Sequence, residues 1–188
     1  MVTWPTTAEE PGSACAEPPE VRSALVIQED LRSRVRVDLP RLAFRELPTL
    51  LRIWEGLRHC PEVVVCDGYG IAHPRRFGLA CHFGVLTGVP TFGVGKTAFV
   101  GEHGPVDTER GSSADLVYSG EVVGRALRTV RGVNPVFVSA GHLIDLAGAC
   151  ALTLDLTSRF RLPETTRRAD QACRAALRAA ATDPGGAR

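Results

Sequence analysis

Short apolar runs along the chain predict the strands of the fold. Residues 63–66, 91–95 and 135–139 are apolar stretches too short for a helix, so each predicts a buried strand. Residues 24–28 predict a further strand. Residues 33–38 alternate polar residues with valine and predict an antiparallel partner for it. Residues 121–129 predict a weaker strand.

A second pattern, with apolar residues three or four positions apart, predicts helices between these strands. It starts at Phe44, where Pro48 is tolerated if it lies in the first turn, and recurs over residues 77–87. Asp145 suits the cap of a helix running to about residue 160, and Pro163 opens a last helix. The order predicts an α/β fold with one mixed sheet flanked by helices.

Length and composition restrict the class of protein further. The 188 residues suit a single domain, and the net charge of +1 means that nucleic-acid binding needs a local basic patch. No apolar run approaches the length of a membrane span, which predicts a soluble, cytoplasmic protein without a membrane partner. Six cysteines without a Cys-x-x-Cys pair predict reduced thiols. We expect disordered segments at 1–20 and 183–188 around a domain at 21–182.

Chemically reactive residues follow three of the predicted strands. Asp67, Lys96 and His142 stand at strand ends, where ligands gather in sheets of this kind. A carboxylate suits Mg²⁺, a lysine can neutralise a phosphate, and a histidine can orient water or exchange a proton. Together they favour phosphodiester hydrolysis over acyl transfer.

Each of these residues also has a purely structural interpretation. Asp67 before a glycine suits a turn, Lys96 suits a solvated strand end, and His142 suits a loop residue bonded to the backbone. Lys96 is the only lysine among 22 basic residues, in Gly-Val-Gly-Lys-Thr, but Pro90 occupies the place of the first glycine of a phosphate-binding loop. The three strand ends together favour a functional site.

The central segment of the chain contains a long and specific motif. Residues 67–86 read Asp-Gly-Tyr-Gly-Ile-Ala-His-Pro-Arg-Arg-Phe-Gly-Leu-Ala-Cys-His-Phe-Gly-Val-Leu, and residues 89–96 read Val-Pro-Thr-Phe-Gly-Val-Gly-Lys. Ala-Phe-Arg-Glu-Leu-Pro precedes them, and Val-Phe-Val-Ser-Ala-Gly-His and Arg-Leu-Pro-Glu-Thr-Thr-Arg follow. Over roughly residues 35–172 the chain resembles endonuclease V, the deoxyinosine-specific repair nuclease.

The resemblance implies a ribonuclease-H-like fold and a catalytic set. It implies Mg²⁺-dependent cleavage, with Mn²⁺ as a substitute, at the second phosphodiester 3′ to inosine or deoxyinosine in DNA or RNA, as part of DNA repair. Asp67 becomes a metal ligand, and Glu46 becomes the helix-borne acid that completes the metal site. Lys96 and His142 become residues that contact the scissile region or support the attacking water.

The resemblance also implies a base pocket after Asp67. Gly68 and Gly70, on either side of Tyr69, let the backbone approach a flipped hypoxanthine, since a side chain there fills the space that the base needs. His73 contacts the scissile region, and Arg75 is a candidate phosphate contact.

Two features depart from the family pattern. Family members begin with a strand whose Asp shares the metal, whereas residues 1–20 contain no Asp and the nearest acids, Glu29 and Asp30, fall in a predicted turn. The N-terminal strand is therefore predicted to be missing or degenerate, which leaves a sheet edge unpaired. The family's Pro-Tyr-Ile-Pro wedge is replaced by Val-Asp-Leu-Pro, without the tyrosine. Both departures imply weakened activity.

Four hypotheses follow for function. The first is an active or weakened endonuclease V, and the second is a degenerate member that binds inosine or nucleic acid without cutting it. The third is an N-terminally truncated fragment. The fourth, a different enzyme acting on a small phosphorylated metabolite, is disfavoured by the base-pocket glycines.

Overall fold

The computed structural model describes residues 24–28 and 42–182. The predicted strand at 33–38, the wedge and both predicted disordered ends lie outside them. The described elements, in chain order, are β1 (Ala24–Gln28), α1 (Leu42–Glu55), β2 (Val63–Asp67), α2 (Leu79–Thr87), β3 (Thr91–Gly95), β4 (Glu102–His103), β5 (Ser113–Tyr118), β6 (Glu121–Leu127), β7 (Val136–His142), α3 (Leu146–Asp155) and α4 (Glu164–Thr182).

The described strands form one mixed sheet in the order β1-β2-β3-β7-β6-β5-β4. Strands β1, β2 and β3 are parallel, whereas β3 and β7 and all later neighbours are antiparallel. The mixed α/β sheet flanked by helices is confirmed. The parallel crossover from β2 through α2 to β3 is also as predicted.

Alternate side chains of the central strands enter different halves of the core. Val64 and Cys66 of β2 pack with residues of α1 and α2, whereas Val65 belongs to the cluster that includes α3. This alternation is the ordinary two-residue period of a strand, and it explains why a fully apolar run marks a strand buried on both faces. Asp67, two residues after Val65, is therefore on the α3 side of the sheet.

Strand β1 lies at the edge of the described sheet, beside β2. It pairs with β2 in parallel, with Gln28 in register with Asp67. The unpaired sheet edge expected from a missing N-terminal strand stays a prediction. Strand β1 contains no acid. The predicted antiparallel pairing of residues 24–28 with 33–38 concerns a segment outside the described residues.

Several local predictions need correction. Helix α1 begins at Leu42, so Pro48 lies in its interior rather than in its first turn. Strands β4 and β5 were not predicted, because their exposed and polar residues give little apolar signal. Asp145 does cap α3, accepting a hydrogen bond from the Gly148 backbone, but the helix ends at Asp155 instead of near residue 160.

The cysteines are free thiols with one exception among those described. Cys66, Cys81 and Cys150 are buried and free, and Cys173 is exposed and free. Cys60 is disulfide-bonded, so the prediction of reduced thiols is wrong for this residue. Separately, no described helix has both the length and the apolar character that crossing a membrane requires.

Candidate nuclease site

The site begins with an ion pair between the ends of two adjacent parallel strands. Asp67 is the last residue of β2, and Lys96 directly follows β3. Lys96 Nζ lies 3.4 Å from Asp67 Oδ2, and the Asp67 side chain is 13% exposed against 52% for Lys96. The parallel pairing of β2 and β3 places both residues at the carboxyl edge of the sheet, as the sequence predicted for this pair.

A second carboxylate acts on Asp67 from helix α4. Burial raises the pKa of Asp67 above its ordinary value, the Lys96 ammonium opposes this rise, and the negative charge of Asp170 adds to it. Helix α4, which carries Asp170, packs on β1 and on β2, the strand that ends at Asp67. Asp170 also pairs with Arg174, with 2.8 Å between Asp170 Oδ2 and Arg174 Nε.

Asp170 was not predicted from the sequence. In the sequence it is one acid within an Arg- and Ala-rich helix, one turn from Arg167 and one turn from Arg174. That spacing indicates an exposed face with alternating charges, which is the ordinary interpretation. Only the packing of α4 against β1 and β2 distinguishes Asp170 from the other charges of this helix.

Glu46 lies on helix α1. Its neighbour Leu47 packs in the cluster that contains Cys66, on the face of the sheet opposite to that of Asp67. Glu46 Oε2 is buried. The charges that shift the pKa of Asp67 belong to Lys96 and Asp170, so the role of Glu46 as a metal ligand stays a prediction.

The carboxylates of the site fit a hard divalent cation with few protein ligands. Among the described residues, no three His, Cys, Asp or Glu side chains come close enough together to hold a metal ion. Mg²⁺ commonly uses only one or two protein carboxylates and completes its shell with water and substrate phosphate. Asp67, with Asp170 acting on it, matches this smaller set, and the repulsion between two carboxylates is the kind that a cation relieves.

His142 lies at the other end of the sheet from Asp67. Strand β7 is antiparallel to β3, and its last residue pairs with Thr91, the first residue of β3. Thr91 and Gly95 are four residue steps apart along extended β3, which is about 13 Å. The prediction that His142 shares a sheet edge with Asp67 and Lys96 is therefore wrong. The cause is strand direction, which a short apolar run does not reveal.

The glycine at position 70 is explained by packing against β7. A Cβ on Gly70 would lie 1.9 Å from the Ala140 carbonyl oxygen, and the Gly70 N–H donates to Ser139 Oγ at 2.8 Å. The sequence-based reason for Gly70, that a side chain there would fill the space of a base, is wrong, because the backbone of β7 fills that space. Gly68 is buried, and its place in a base pocket stays a prediction.

An aromatic cluster lies beside the Asp67–Lys96 pair. The Tyr69 ring stacks on Phe99 with 5.2 Å between centroids, and the His73 ring lies 5.5 Å from the Phe99 ring. The Tyr69 hydroxyl donates to the Thr97 carbonyl at 2.9 Å. The sequence predicted Tyr69 and His73 as substrate-binding residues but gave no signal for Phe99, which joins their rings.

The surroundings of His73 favour the neutral form of its ring. Burial lowers the pKa of His73, and the charges of His82 and Arg75 lower it further. Its Nδ1 accepts a hydrogen bond from the Arg75 backbone N–H at 3.2 Å. The neutral ring therefore has its proton on Nε2, which is a donor for a neutral acceptor such as a base carbonyl.

The two adjacent arginines differ in their surroundings. Arg76 Nη2 donates to the Tyr118 carbonyl at 2.6 Å and lies 2.9 Å from Glu121 Oε2, so it fixes the loop after β2 to the β5–β6 hairpin. Arg75 is exposed. Its predicted role as a phosphate contact stays a prediction.

The fold and the carboxylate–lysine pair define a class: mixed α/β proteins with an acidic site at the carboxyl edge of parallel strands. The family model for endonuclease V matches residues 21–171. The chain belongs to the endonuclease V family.

Similar proteins include endonuclease V of Streptomyces coelicolor, 63% identical over 140 residues, which are 74% of this chain and 60% of that protein. The crystal structure of the Streptomyces avermitilis endonuclease V superposes with a TM-score of 0.74 at 56% identity, covering 77% of this chain and 64% of that one. The Ciona intestinalis endonuclease V, solved with a 24-mer DNA containing an inosine followed by a ribo-adenosine, gives a TM-score of 0.65 at 28% identity, covering 77% and 68%.

The chain spans about 60% of the length of the curated relatives it matches.

Proposed function

We propose that this protein is a metal-dependent endonuclease that hydrolyses nucleic acid at the second phosphodiester 3′ to inosine or deoxyinosine, as part of DNA repair. The observation that supports this most is the placement of Asp67 beside Lys96, with Asp170 acting on the same carboxylate. Family membership supports the reaction class, and the inosine-containing DNA bound by the Ciona relative supports the substrate.

Asp67 and Asp170 would hold the cation, and Mg²⁺, with Mn²⁺ as a substitute, is the ion we propose. When bound, such an ion supplies charge stabilisation at the phosphate and a more acidic water. Ionised Asp67 is required for this, so the raised pKa of Asp67 sets a lower pH limit for activity. Glu46 is proposed to complete the carboxylate set from the α1 side.

Lys96 has a separate task at the same site. Its ammonium is half exposed, so it can move from Asp67 to a non-bridging phosphate oxygen when substrate arrives. A cation in that position stabilises the charge that develops on the phosphate in the transition state. With Lys96 on the phosphate, a metal ion held by Asp67 would replace the lysine as the positive partner of this buried carboxylate.

The aromatic cluster of Tyr69, Phe99 and His73 is the proposed base site. Extruding a base from a duplex costs stacking energy, which contacts with aromatic rings offset. The neutral His73 ring supplies a hydrogen-bond donor within this cluster. Gly68 and Gly70 belong to the same segment, with Gly70 keeping it close to β7.

A second candidate is binding of inosine-containing nucleic acid without cleavage. The register of β1 with β2 favours it, because the strand beside β2 contains no acid and has the neutral Gln28 in register with Asp67. An amide oxygen can contact a metal ion but does not add the negative charge that holds it.

Mapped cleavage distinguishes the two candidates. An end-labelled duplex with one inosine, and the same duplex with adenine, are incubated with the protein and Mg²⁺ or Mn²⁺. A single product that ends at the second phosphodiester 3′ to inosine, absent with Asp67→Asn, supports the nuclease. No product above that variant, with tighter gel-shift binding of the inosine duplex, supports the binding protein. Equal binding of both duplexes without cleavage contradicts both.

A further inference from the structure

Phe160 is a large apolar side chain exposed near the proposed site. It is 46% exposed and stands between α3 and α4. The Arg167 guanidinium carbon lies 3.4 Å from the centroid of its ring, and Arg167 Nη1 is held by Glu164 Oε2 at 2.7 Å. One part of the ring is thus covered by a fixed cation, while nearly half of the side chain remains accessible.

Two chains of contacts connect this ring to Asp67. The next residue, Arg161, donates through Nη2 to the carbonyls of Lys96 and of Pro135, and Lys96 pairs with Asp67. On α4, Arg167 lies one turn before Asp170, an axial rise of about 4.5 Å. Phe160 is therefore next in sequence to Arg161, which binds the Lys96 carbonyl, and its ring contacts Arg167, one helical turn from Asp170.

The charge around the ring favours a polyanion. Residues 158–170 contain four arginines and two acids. Arg159 and Arg168 are exposed. Exposed aromatic rings flanked by arginines bind single-stranded nucleic acid by stacking on its bases while the cations meet its phosphates.

We propose that Phe160 is a stacking platform for one unpaired nucleobase that flanks the scissile phosphodiester. Arg167 braces the ring from one side, and Arg159 meets the backbone phosphate of the stacked nucleotide. This inference rests on the proposed function, because it requires the protein to bind nucleic acid. It adds a contact outside the Tyr69, Phe99 and His73 cluster that we assign to the inosine.

A structural role for the ring predicts a different outcome. In that role, the cation–π contact of Phe160 with Arg167 only holds the α3–α4 connection against α4. Removal of the ring would then lower stability but would not change base stacking. Phe160→Leu keeps an apolar side chain of similar size but removes the π face, whereas Phe160→Trp keeps that face. Val122, 47% exposed on β6, gives the control Val122→Ala on a distant strand.

The test measures affinity and stacking in the same oligonucleotides, with Ca²⁺ replacing Mg²⁺ to prevent cleavage. Single-stranded 15-mers with one inosine contain 2-aminopurine at one of the three positions on either side of it. Fluorescence anisotropy gives Kd, and quenching of 2-aminopurine reports stacking at each position. Thermal unfolding of each variant shows whether it is folded.

We expect quenching at one position with the wild-type protein, its loss with Phe160→Leu, and its retention with Phe160→Trp. We expect Phe160→Leu to weaken binding about 5- to 100-fold, the range for loss of one base–aromatic stack, with no change for Val122→Ala. Unchanged Kd and quenching in Phe160→Leu would overturn the stacking platform and leave the proposed function standing. Failure of the wild-type protein to bind any of the oligonucleotides would overturn both.

Discussion

Lys96 Nζ lies 3.4 Å from Asp67 Oδ2, at the carboxyl ends of two adjacent parallel strands. Asp67 is mostly buried, and its charge is opposed by Asp170. The lysine therefore occupies the position near the carboxylate where a metal ion would bind, so metal binding would displace Lys96 from Asp67.

Asp67→Asn should abolish cleavage and change how stability depends on pH. We expect a loss of activity of about a thousandfold or more, since the variant loses a charged metal ligand. The pKa of Asp67 is raised in the folded state, so the folded protein binds its proton at higher pH than the unfolded chain. The free energy of unfolding of the wild-type protein should therefore rise relative to that of Asp67→Asn as the pH falls. The rise should occur between the raised pKa of Asp67 in the folded state and its ordinary value of 3.8. Urea unfolding with a chelator between pH 7 and 4 measures this, and a relative fall contradicts it.

Lys96→Met should lower kcat more than it raises KM. Loss of a cation that stabilises the transition-state phosphate costs about 100- to 1000-fold in rate. Because Lys96 lowers the pKa of Asp67, its removal should also move the acidic limb of the pH–rate profile to higher pH. Lys96→Arg, which keeps the charge, is the control and should leave that limb nearly in place. A pure KM effect in Lys96→Met would argue for a role in binding alone.

Asp170→Asn should weaken metal binding, by about 10- to 100-fold, and so lower activity at limiting Mn²⁺. Asp170 also pairs with Arg174, so Arg174→Gln is the matched control that removes the ion pair and keeps the carboxylate. Calorimetric titration with Mn²⁺ should show weaker binding in Asp170→Asn alone. Equal weakening in both variants would mean that the ion pair, and not the carboxylate, is what matters.

Gly70→Ala should destabilise the fold by about 3 kcal/mol or more, because the new methyl would collide with the Ala140 carbonyl oxygen. Gly104→Ala is the matched control, since nothing lies within 4 Å of a Cβ at that position. The midpoints of urea unfolding compare the two. A Gly70→Ala protein as stable as Gly104→Ala would contradict the close packing of this segment on β7.

Gln28→Asp should strengthen metal binding and raise cleavage. The register of β1 places residue 28 beside Asp67. A further negative charge there should raise the affinity for a divalent cation by about tenfold or more. Gln28→Asn, neutral and of the same length as Asp, is the control. If Asp and Asn variants bind Mn²⁺ equally, β1 does not contribute to the metal site.

The sequence predicted most of the elements and placed two of the three strand-end residues at one edge of the sheet. Apolar runs revealed β2, β3 and β7 because these strands are buried on both faces, and Asp67 and Lys96 followed from the parallel crossover between them. Strand direction is not contained in such runs, so His142 was assigned to the wrong end of the sheet. Asp170 was missed for a related reason: its importance comes from the packing of α4 on β1 and β2, while its local sequence resembles any charged helix.

The metal site itself is tested most directly by a crystal structure of the protein grown with Mn²⁺, using the anomalous signal of the ion. We expect one anomalous peak at direct-coordination distance from Asp67, with Asp170 as a second protein ligand and Lys96 displaced from Asp67. A peak away from Asp67, or an Asp67 that keeps Lys96 as its partner in saturating Mn²⁺, would contradict it.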